Sequence, residues 1–229
     1  MADEEEQKPY KLSVIGSDEV RESSRGFTGE AMAEYPSGDI YIGDFVNGVS
    51  YKYFNSQIRE GKGKYTYANG DLYDGSWKEN QKNGIGRMTY KAGGSYHGYF
   101  EKGERSGEGL FHYANKDRYS GAWKYGKKHG KGTYIIDSSN IKLVGDWFEG
   151  QISAGKWILS NGDTYEGKFK HNKPTGDATW SLANGNKLRG YYEQQIIDVD
   201  EPGNEESPLD VETGLRVRID WTTQSVMTK

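Results

Sequence analysis

The sequence predicts an all-β protein, an elongated single-layer antiparallel array of β-hairpins. The first observation is a box of Tyr or Leu, any residue, Gly, any residue and an aromatic. Its leading positions are Tyr41, Tyr73, Tyr96, Tyr119, Leu143, Tyr165 and Leu188. They are separated by 32, 23, 23, 24, 22 and 23 residues. A period near 23 is typical of stacked repeats, in which each unit buries its apolar face only against its neighbours.

The composition is the second observation. Only 33 % of the 229 residues are hydrophobic, yet the chain has 18 Tyr, 7 Phe and 6 Trp. Because one aromatic side chain can bury roughly 150–250 Å², rings rather than Leu, Ile and Val must supply a thin core. The 32 glycines are about twice the usual share of ~7 % and follow no three-residue period. Seven hairpins with strands ~4.8 Å apart would form a rod on the order of 65 Å long.

A single repeat, residues 61–77, shows the third observation, which is alternation. Aromatic residues alternate with polar ones at positions 65, 67, 73 and 77, the period-two pattern of half-buried strands. Asn69 and Gly70 between the strands are typical of a two-residue type I′ turn. Gly75 shares a face with the box aromatics, and its missing side chain is predicted to leave room for a neighbour's ring.

The rest of each repeat follows from the same register. A polar connection such as 78–83 follows the box aromatic and returns the chain to the next hairpin. A Gly-x-Gly pair comes next, and an apolar residue follows its second glycine by four positions. These apolar residues are Tyr67, Tyr90, Tyr113, Ile136, Leu159 and Leu182.

The chain is predicted to have four segments. Residues 1–25 are acidic and predicted to be disordered, and residues 26–193 form the array, with an insertion near 49–58. Residues 194–214 form an acidic linker, and residues 215–229 form a strand-like tail. In the tail, apolar side chains alternate at Leu215, Val217, Ile219 and Trp221. This strand either covers the array's own edge or pairs with a partner by β-augmentation, and both alternatives stay open.

Several function classes are disfavoured by composition. There is no cysteine, which excludes disulfides, thiolate zinc sites and cysteine nucleophiles. The acidic amino terminus does not resemble a signal peptide, and no run of about 18 apolar residues predicts a membrane span. The net charge of −4 gives no general attraction to nucleic acid. We therefore expect a soluble cytoplasmic protein.

The boxes, followed by a polar loop and H/N-G-x-G-x-x-x-Y, resemble the MORN repeat. The resemblance covers about residues 26–192 and implies a non-catalytic array that contacts other proteins through its sheet faces. MORN arrays also tend to form homodimers. The acidic start, the uninterrupted array, the unit at 165–176 and the acidic segment before a tryptophan-bearing end are similar to a head subunit of the radial spoke of motile cilia.

That second likeness implies a function, a location and partners. The chain would be a structural scaffold needed for ciliary or flagellar motility, located in the cytoplasm and in the cytoskeleton of the axoneme. Its partners would be other radial spoke head proteins, with a homodimer as a further arrangement. The resemblance implies no enzyme activity and no cofactor.

The candidate interaction residues are the ring residues of the boxes and the apolar side of the tail. We expect the array to carry an aromatic stripe too large to leave in contact with water in a monomer, because large apolar patches usually mark contact sites. The candidates are Tyr73, Trp77, Tyr96, Phe100, Tyr119, Trp123, Trp147, Tyr165, Phe169, Leu215, Val217, Ile219 and Trp221.

No catalytic, cofactor-binding or metal-binding residue is predicted. Residues 121–127 fit the G-x-x-x-x-G-K part of a phosphate-binding loop, but they lack its Ser/Thr and follow a repeat strand. The histidines lie in different units without paired ligand spacing. They are His97, His112, His129 and His171. The acids inside the boxes alternate outward and are expected to lie on a solvated sheet face.

Three rival functions are weighed against the scaffold. Lys124, Lys127, Lys128 and Lys131 form a basic patch at the lower edge of the four to eight residues usually needed for anionic lipid. Lipid contact is therefore disfavoured, but a membrane–cytoskeleton tether remains the alternative. A nucleic-acid platform is disfavoured because the rings are needed inside. A module that targets an enzyme is disfavoured because only 37 residues follow Tyr192.

Overall fold

The computed structural model describes residues 8–46, 58–197 and 216–228. In these ranges the protein is all-β, with seventeen strands and no helix. The strands are β1 Lys11–Val14, β2 Val20–Arg21, β3 Gly29–Glu34, β4 Ile40–Val46, β5 Ile58–Thr66, β6 Leu72–Lys78, β7 Gln81–Thr89, β8 Ser95–Glu101, β9 Glu104–His112, β10 Arg118–Lys124, β11 Lys127–Ile136, β12 Ile141–Phe148, β13 Gln151–Ile158, β14 Thr164–Lys170, β15 Lys173–Ser181, β16 Lys187–Ile197 and β17 Arg216–Met227.

The chain divides into two compact units, Met1–Asn115 and Lys116–Lys229. In the first unit each strand from β3 to β9 pairs antiparallel with the next, and β1 pairs with both β2 and β3. In the second unit each strand from β10 to β17 pairs antiparallel with the next. The predicted array of antiparallel hairpins is confirmed, and the seven boxes lie on the even-numbered strands from β4 to β16.

The predicted disorder of residues 1–25 is wrong for the strands β1 and β2. Leu12 in β1 is fully buried opposite Ala33 of β3, which is also fully buried. Burying this pair on an edge that would otherwise be open stabilises the segment. The insertion near 49–58 lies outside the described residues except for Ile58, where β5 begins. The strand β16 includes the first four residues of the predicted linker, and 198–214 lie outside the described residues.

The turns at the two ends of the strands are not of the predicted types. Tyr67 N–H donates to the Asp71 carbonyl at 2.9 Å, and Gly70 N–H donates to the Tyr67 carbonyl at 2.8 Å. Gly70 takes the left-handed conformation, with φ of 88°. This is a three-residue loop with a type I turn and a bulge, so the predicted two-residue type I′ turn is wrong here.

The type I′ turns lie instead where a polar connection was predicted. Glu79 and Asn80 link β6 to β7 with φ of 50° and 67°. A two-residue type I′ turn matches the right-handed twist of the paired strands, and it lets the next strand start at once. The equivalent pairs in later repeats are Lys102–Gly103, Tyr125–Gly126, Glu149–Gly150 and His171–Asn172.

The core is built on pairs of glycines that face each other across neighbouring strands. Gly75 of β6 lies opposite Gly86 of β7, and the Tyr73 ring covers this pair. A Cβ added to Gly86 would come within 2.6 Å of Tyr73 Cζ. The gap left by the glycine is therefore filled by a ring of its own hairpin, not by a neighbour's ring as predicted.

The box tyrosine also makes a hydrogen bond to a backbone carbonyl of its own box. Tyr73 Oη–H donates to the Ser76 carbonyl at 2.9 Å, where the register of β6 and β7 shifts by a bulge. The same bond, from the tyrosine to the carbonyl three residues later, occurs in four other boxes. They begin at Tyr41, Tyr96, Tyr119 and Tyr165.

Rings of successive repeats then bury one another. The Tyr73 ring makes edge contacts with Trp77 and Phe100, each at 5.1 Å between ring centres. Trp77 lies edge-on to Tyr41 of the preceding repeat at 5.5 Å. Such edge-to-face pairs stabilise a core by about 0.5–1.5 kcal/mol beyond the area that they bury. The thin sheet therefore acquires a core one ring deep.

Candidate interaction surface

The nine box aromatics that were predicted to bind a partner are core residues. They are Tyr73, Trp77, Tyr96, Phe100, Tyr119, Trp123, Trp147, Tyr165 and Phe169, and each is at most 6 % exposed. The expectation that these rings form a stripe that needs a partner to cover it is wrong, because the rings of adjacent strands cover them within one chain. Buried side chains present no surface to a partner, so they can only support the surface above them.

The tail residues lie on the array itself. The strand β17 pairs along its length with β16, so the structure shows the alternative in which the tail covers the array's own edge. The Trp221 ring packs on Tyr192 at 4.9 Å and would meet a Cβ added to Gly190. Trp221 and Ile219 are half-buried. Val217 lies in β17 opposite Ile196, and Leu215 lies outside the described residues.

A second layer of rings, half-buried, lies above the box aromatics of the first unit. Tyr67 packs on Tyr65 with ring centres 4.6 Å apart. Tyr90 stacks on Phe111 at 5.8 Å, and Phe111 contacts Tyr113 at 4.4 Å. The sequence showed the tyrosines of this layer as regular apolar positions after the second glycine, but it did not show that they are the more accessible layer.

A row of cations crosses the same face, one for each repeat. Arg59, Lys82 and Arg105 are spaced by 23 residues and are half-buried. Each lies opposite the box aromatic of the preceding strand, and these aromatics are Phe45, Trp77 and Phe100. The sequence contained this spacing, but a charged residue near a strand end is usually solvated, and nothing in the pattern indicated that it turns inward.

Each cation is held over aromatic rings. The Arg59 guanidinium lies 4.8 Å from the Tyr65 ring centre and 4.6 Å from that of Trp77. Lys82 Nζ lies 5.5 Å from the Phe100 ring centre, and the Arg105 guanidinium lies 5.2 Å from that of Phe111. Cation–π contacts of this kind contribute about 0.5–2 kcal/mol. We call Arg59, Tyr67, Lys82, Tyr90, Arg105 and Phe111 the aromatic–cation row.

Lys128 is the equivalent cation in the described part of the second unit. Lys128 is 9 % exposed and lies 4.6 Å from the Trp147 ring centre. The equivalent positions in the following two repeats are Ile152 and Pro174, both buried. The cations are therefore concentrated in the first unit, and Lys128 does not belong to an exposed basic patch.

Burial shapes the electrostatics of the row. Burial lowers the pKa of Lys82, repulsion from Arg105 lowers it further, and Asp71 opposes the change. Burial raises the pKa of Tyr67 and Tyr90, and the nearby arginines partly offset this shift. The two phenols therefore remain O–H donors at neutral pH, beside N–H donors of the cations.

Aspartates at the three-residue turns link consecutive hairpins. In each case the carboxylate of one turn accepts the backbone N–H of the next turn. Asp39 accepts from Ala68 at 2.7 Å, and Asp71 accepts from Lys91 at 2.9 Å. Asp163 accepts from Ala183 at 2.8 Å. These bonds tie consecutive hairpins together at the three-residue turns.

The opposite face of the first unit carries an exposed apolar pair. Ile85 and Tyr99 pair across β7 and β8 and are 53 % and 41 % exposed. The in-box acid Asp74 is exposed on this face. In the second unit, Lys131 bonds Asp146 at 2.7 Å, so part of the predicted basic patch is neutralised.

The described residues contain no cluster of three or more side chains suited to hold a metal ion. Residues 121–127 lie on a strand, a tight turn and the start of the next strand, without the helix that a phosphate-binding loop requires. Both His97 and His112 are exposed. The described residues form no helix that is long and apolar enough to span a membrane.

Comparison with protein families identifies five MORN repeats in the chain. They match at residues 58–72, 73–95, 96–118, 119–140 and 165–187. The segment 141–164 is not matched, although it forms β12 and β13. It departs from the consensus at Leu143, which replaces the box tyrosine, and at Ala154, which replaces a glycine.

Comparison with solved structures gives distant matches. The TCP domain of SAS-4 from Drosophila melanogaster, in complex with a proline-rich motif of Ana2, is 15 % identical, with a TM-score of 0.43 over 70 % of this chain and 83 % of that chain. The TCP10 domain of Danio rerio CPAP is 8 % identical, with a TM-score of 0.39 over 95 % of this chain and 99 % of that chain. No curated protein matched the sequence.

Proposed function

We propose, from the five MORN repeats, that the chain is a non-catalytic scaffold that binds other proteins through the aromatic–cation row of its first unit. The observation that carries this proposal is the two-layer arrangement of that face. The half-buried Tyr67 packs on the buried Tyr65, and Phe111 packs between the box ring of Tyr96 and the ring of Tyr90. Aromatic and arginine side chains are enriched in the energetic centres of protein interfaces. The opposite face carries the exposed apolar pair Ile85 and Tyr99, without a row of cations held over rings.

We further propose that the scaffold belongs to the radial spoke head of the axoneme in motile cilia or flagella, as radial spoke head protein 1 does. The support for this assignment is the sequence resemblance described above, including the unit at 165–176 and the tryptophan-bearing carboxy-terminal strand. The partners would then be other spoke head proteins. Loss of the chain would impair ciliary motility.

Affinity purification of the full chain from ciliated cells tests the assignment. Recovery of spoke head subunits, identified by mass spectrometry and released together with the chain at high salt, is the expected result. Recovery of membrane or cell-polarity proteins without axonemal subunits would overturn the spoke assignment. The same purification from unciliated cells is the control for non-specific capture.

A membrane tether is the second candidate, and one observation favours it. Tyr125 and Phe148 of the second unit are 75 % and 61 % exposed, and Lys124 and Lys127 beside Tyr125 are also exposed. Exposed rings with nearby lysines are typical of surfaces that contact anionic lipid headgroups. Two lysines fall below the usual cluster size, so we rank this candidate second.

Liposome flotation separates the two candidates. The chain is mixed with vesicles of phosphatidylcholine, with and without phosphoinositide, at physiological ionic strength. The scaffold proposal predicts that the protein stays at the bottom of the gradient. Flotation that requires phosphoinositide and is lost in a Lys124→Gln, Lys127→Gln variant would instead support the tether.

A further inference from the structure

We propose that the aromatic–cation row binds an acidic segment of a partner protein in the polyproline II conformation, with a carboxylate at every third residue. This inference rests on the proposed scaffold function and names the chemistry of the partner. It uses only residues of the first unit, in which three cations follow one another at the same position of consecutive repeats.

The spacing of the cations sets the spacing of the carboxylates. Arg59, Lys82 and Arg105 occupy equivalent register positions on β5, β7 and β9. Consecutive cations are therefore two strands apart, which is ~9.6 Å at a strand spacing of ~4.8 Å. A polyproline II helix advances ~3.1 Å per residue with three residues per turn. Residues three apart in it lie on one side, ~9.3 Å from each other.

An α-helix fits the same row less well. Its side chains return to one face after seven residues, which corresponds to ~10.5 Å. The mismatch with the cation spacing is ~0.9 Å per repeat and accumulates along the row. A β-strand with carboxylates three residues apart would direct alternate charges to opposite faces. The polyproline II conformation matches the spacing of the cations and places all the carboxylates on one side of the ligand.

The rings of the row favour the same conformation. Extended proline-containing segments dock in grooves lined by aromatic side chains, because little conformational entropy is lost. Tyr67 lies beside Lys82, whose Nζ is 5.9 Å from the ring centre, and Tyr90 stacks on Phe111. Rings therefore lie beside the cations along the row, where the apolar residues between the carboxylates of the proposed ligand would contact them.

The charges around the row are compatible with an acidic ligand. Two carboxylates that interact with the row, Asp39 with Arg59 and Asp71 with Lys82, lie at the turns and accept backbone N–H groups of the following turns. Arg59 is oriented by Asn80, whose backbone carbonyl accepts from Nη2 at 3.1 Å and whose Oδ1 accepts from Nε at 3.4 Å. The guanidinium has five N–H donors in all, so further donors remain for a carboxylate.

The test is fluorescence anisotropy with the full chain and a labelled twelve-residue peptide of four Glu-Ala-Pro repeats. We expect saturable binding that weakens as salt concentration rises. A peptide of the same composition with its four glutamates consecutive, and a Lys-Ala-Pro peptide, should bind at least about tenfold more weakly. Equal binding of the two acidic peptides would overturn the spacing argument, and absence of binding to any acidic peptide would overturn the proposal.

Matched variants locate the site on one strand. Lys82→Met keeps the aliphatic stem over the rings but removes the charge, whereas Arg87→Met removes an exposed cation on the opposite face of β7. We expect Lys82→Met to weaken peptide binding about tenfold and Arg87→Met to leave it unchanged. Equal effects of the two variants would show attraction by net charge alone. Circular dichroism checks that both variants are folded.

The outcomes also separate this inference from the spoke assignment. If the peptide does not bind but spoke subunits co-purify with the chain, the scaffold assignment stands and the chemistry of the ligand is wrong. If the peptide binds as expected but no spoke subunit is recovered from ciliated cells, the row binds acidic segments in another assembly.

Discussion

The box tyrosine is the residue that most directly links the sequence to the fold. Its ring covers a pair of glycines in its own hairpin, and its hydroxyl holds the carbonyl at the bulge. Both contacts require the glycines, since any other residue would place a Cβ in the ring. The Tyr-x-Gly pattern is therefore a packing requirement as well as a marker of the repeat.

Replacing Tyr73 by Phe tests the hydroxyl alone. The ring would stay in place, but the Ser76 carbonyl would lose its 2.9 Å hydrogen bond. We expect the free energy of unfolding, measured by urea denaturation, to fall by about 0.5–1.5 kcal/mol. Tyr99→Phe is the control, because Tyr99 is exposed on the opposite face, and we expect a change within about 0.5 kcal/mol. Equal changes would contradict the proposed role of the hydroxyl.

Replacing Gly86 by Ala tests the ring over the glycine. The new Cβ would lie 2.6 Å from Tyr73 Cζ, and the ring cannot move freely between Trp77 and Phe100. Overpacking of this kind should destabilise the protein by about 1–3 kcal/mol. Gly103→Asn is the control, because Gly103 has open space around it and a φ of 87°, which Asn tolerates. A stable Gly86→Ala variant would show that the ring is not closely packed.

Buried phenols should make the protein sensitive to alkaline pH. Burial raises the pKa of Tyr96 and of Tyr165 to about 12, above the ordinary value of about 10. Since the folded-state pKa is raised, this stabilisation is fully present below pH 10 and is lost as pH rises towards 12. Ultraviolet absorbance should show tyrosine ionisation coupled to loss of circular dichroism in that range. Ionisation of all tyrosines near pH 10 without unfolding would contradict this prediction.

At the scale of elements, the alternation of aromatic residues and the 23-residue period predicted the strands, their order and the buried side of each box. The turns were not predictable from the same signals. Asn69-Gly70 suits a two-residue turn and also the three-residue loop that forms. Glu79-Asn80 carries no strong turn signal, yet the strand twist imposes a type I′ turn on it. Turn geometry is decided by the strands on either side.

The residues of the candidate interaction surface also could not be predicted from the sequence, for a related reason. Aromatic residues at period-two positions look alike in the sequence, but only the structure separates the box rings, which are covered, from Tyr67 and Tyr90, which lie above them. Arg59, Lys82 and Arg105 read as solvated charges. The rings of neighbouring strands, which are distant in sequence, hold these three cations on the face that carries the box rings.

The aspartates at the three-residue turns join one hairpin to the next. Asp39 accepts from Ala68 N–H, Ser37 Oγ and Tyr65 Oη. Burial opposes ionisation of Asp39, but these hydrogen bonds outweigh it and lower its pKa. The resulting stabilisation is present above the ordinary pKa and is lost as pH falls through the lowered value.

Replacing Asp39 by Ala should therefore leave the Ala68 N–H and the Tyr65 Oη–H without the carboxylate that accepts from them. We expect a loss of about 1–3 kcal/mol in the free energy of unfolding at neutral pH, and a smaller difference from the wild type at acid pH. Urea denaturation at several pH values measures both effects. Asp74→Ala, which removes an exposed carboxylate, is the control and should change stability by less than about 0.5 kcal/mol. A difference that is independent of pH would contradict the proposed role of the carboxylate.

In the whole molecule, the box rings that build the array are buried, whereas the rings and cations of the aromatic–cation row are half-buried. Each repeat buries its own box rings with help from its neighbours, so no second copy is needed to cover them. The aromatic–cation row is part of the half-buried surface that remains on that face of the first unit. Under the proposed function, substitutions of Tyr67 and Tyr90 would change the binding surface and leave the box core intact.

The most direct test of this claim compares two double variants of the full chain in affinity purification from ciliated cells. Tyr67→Ala, Tyr90→Ala removes rings from the aromatic–cation row, and Ile85→Ala, Tyr99→Ala removes the exposed apolar pair from the opposite face. With both variants shown to be folded by circular dichroism, we predict that spoke head subunits are lost only from the first. Recovery of those subunits with the first variant, or their loss only from the second, would contradict the account.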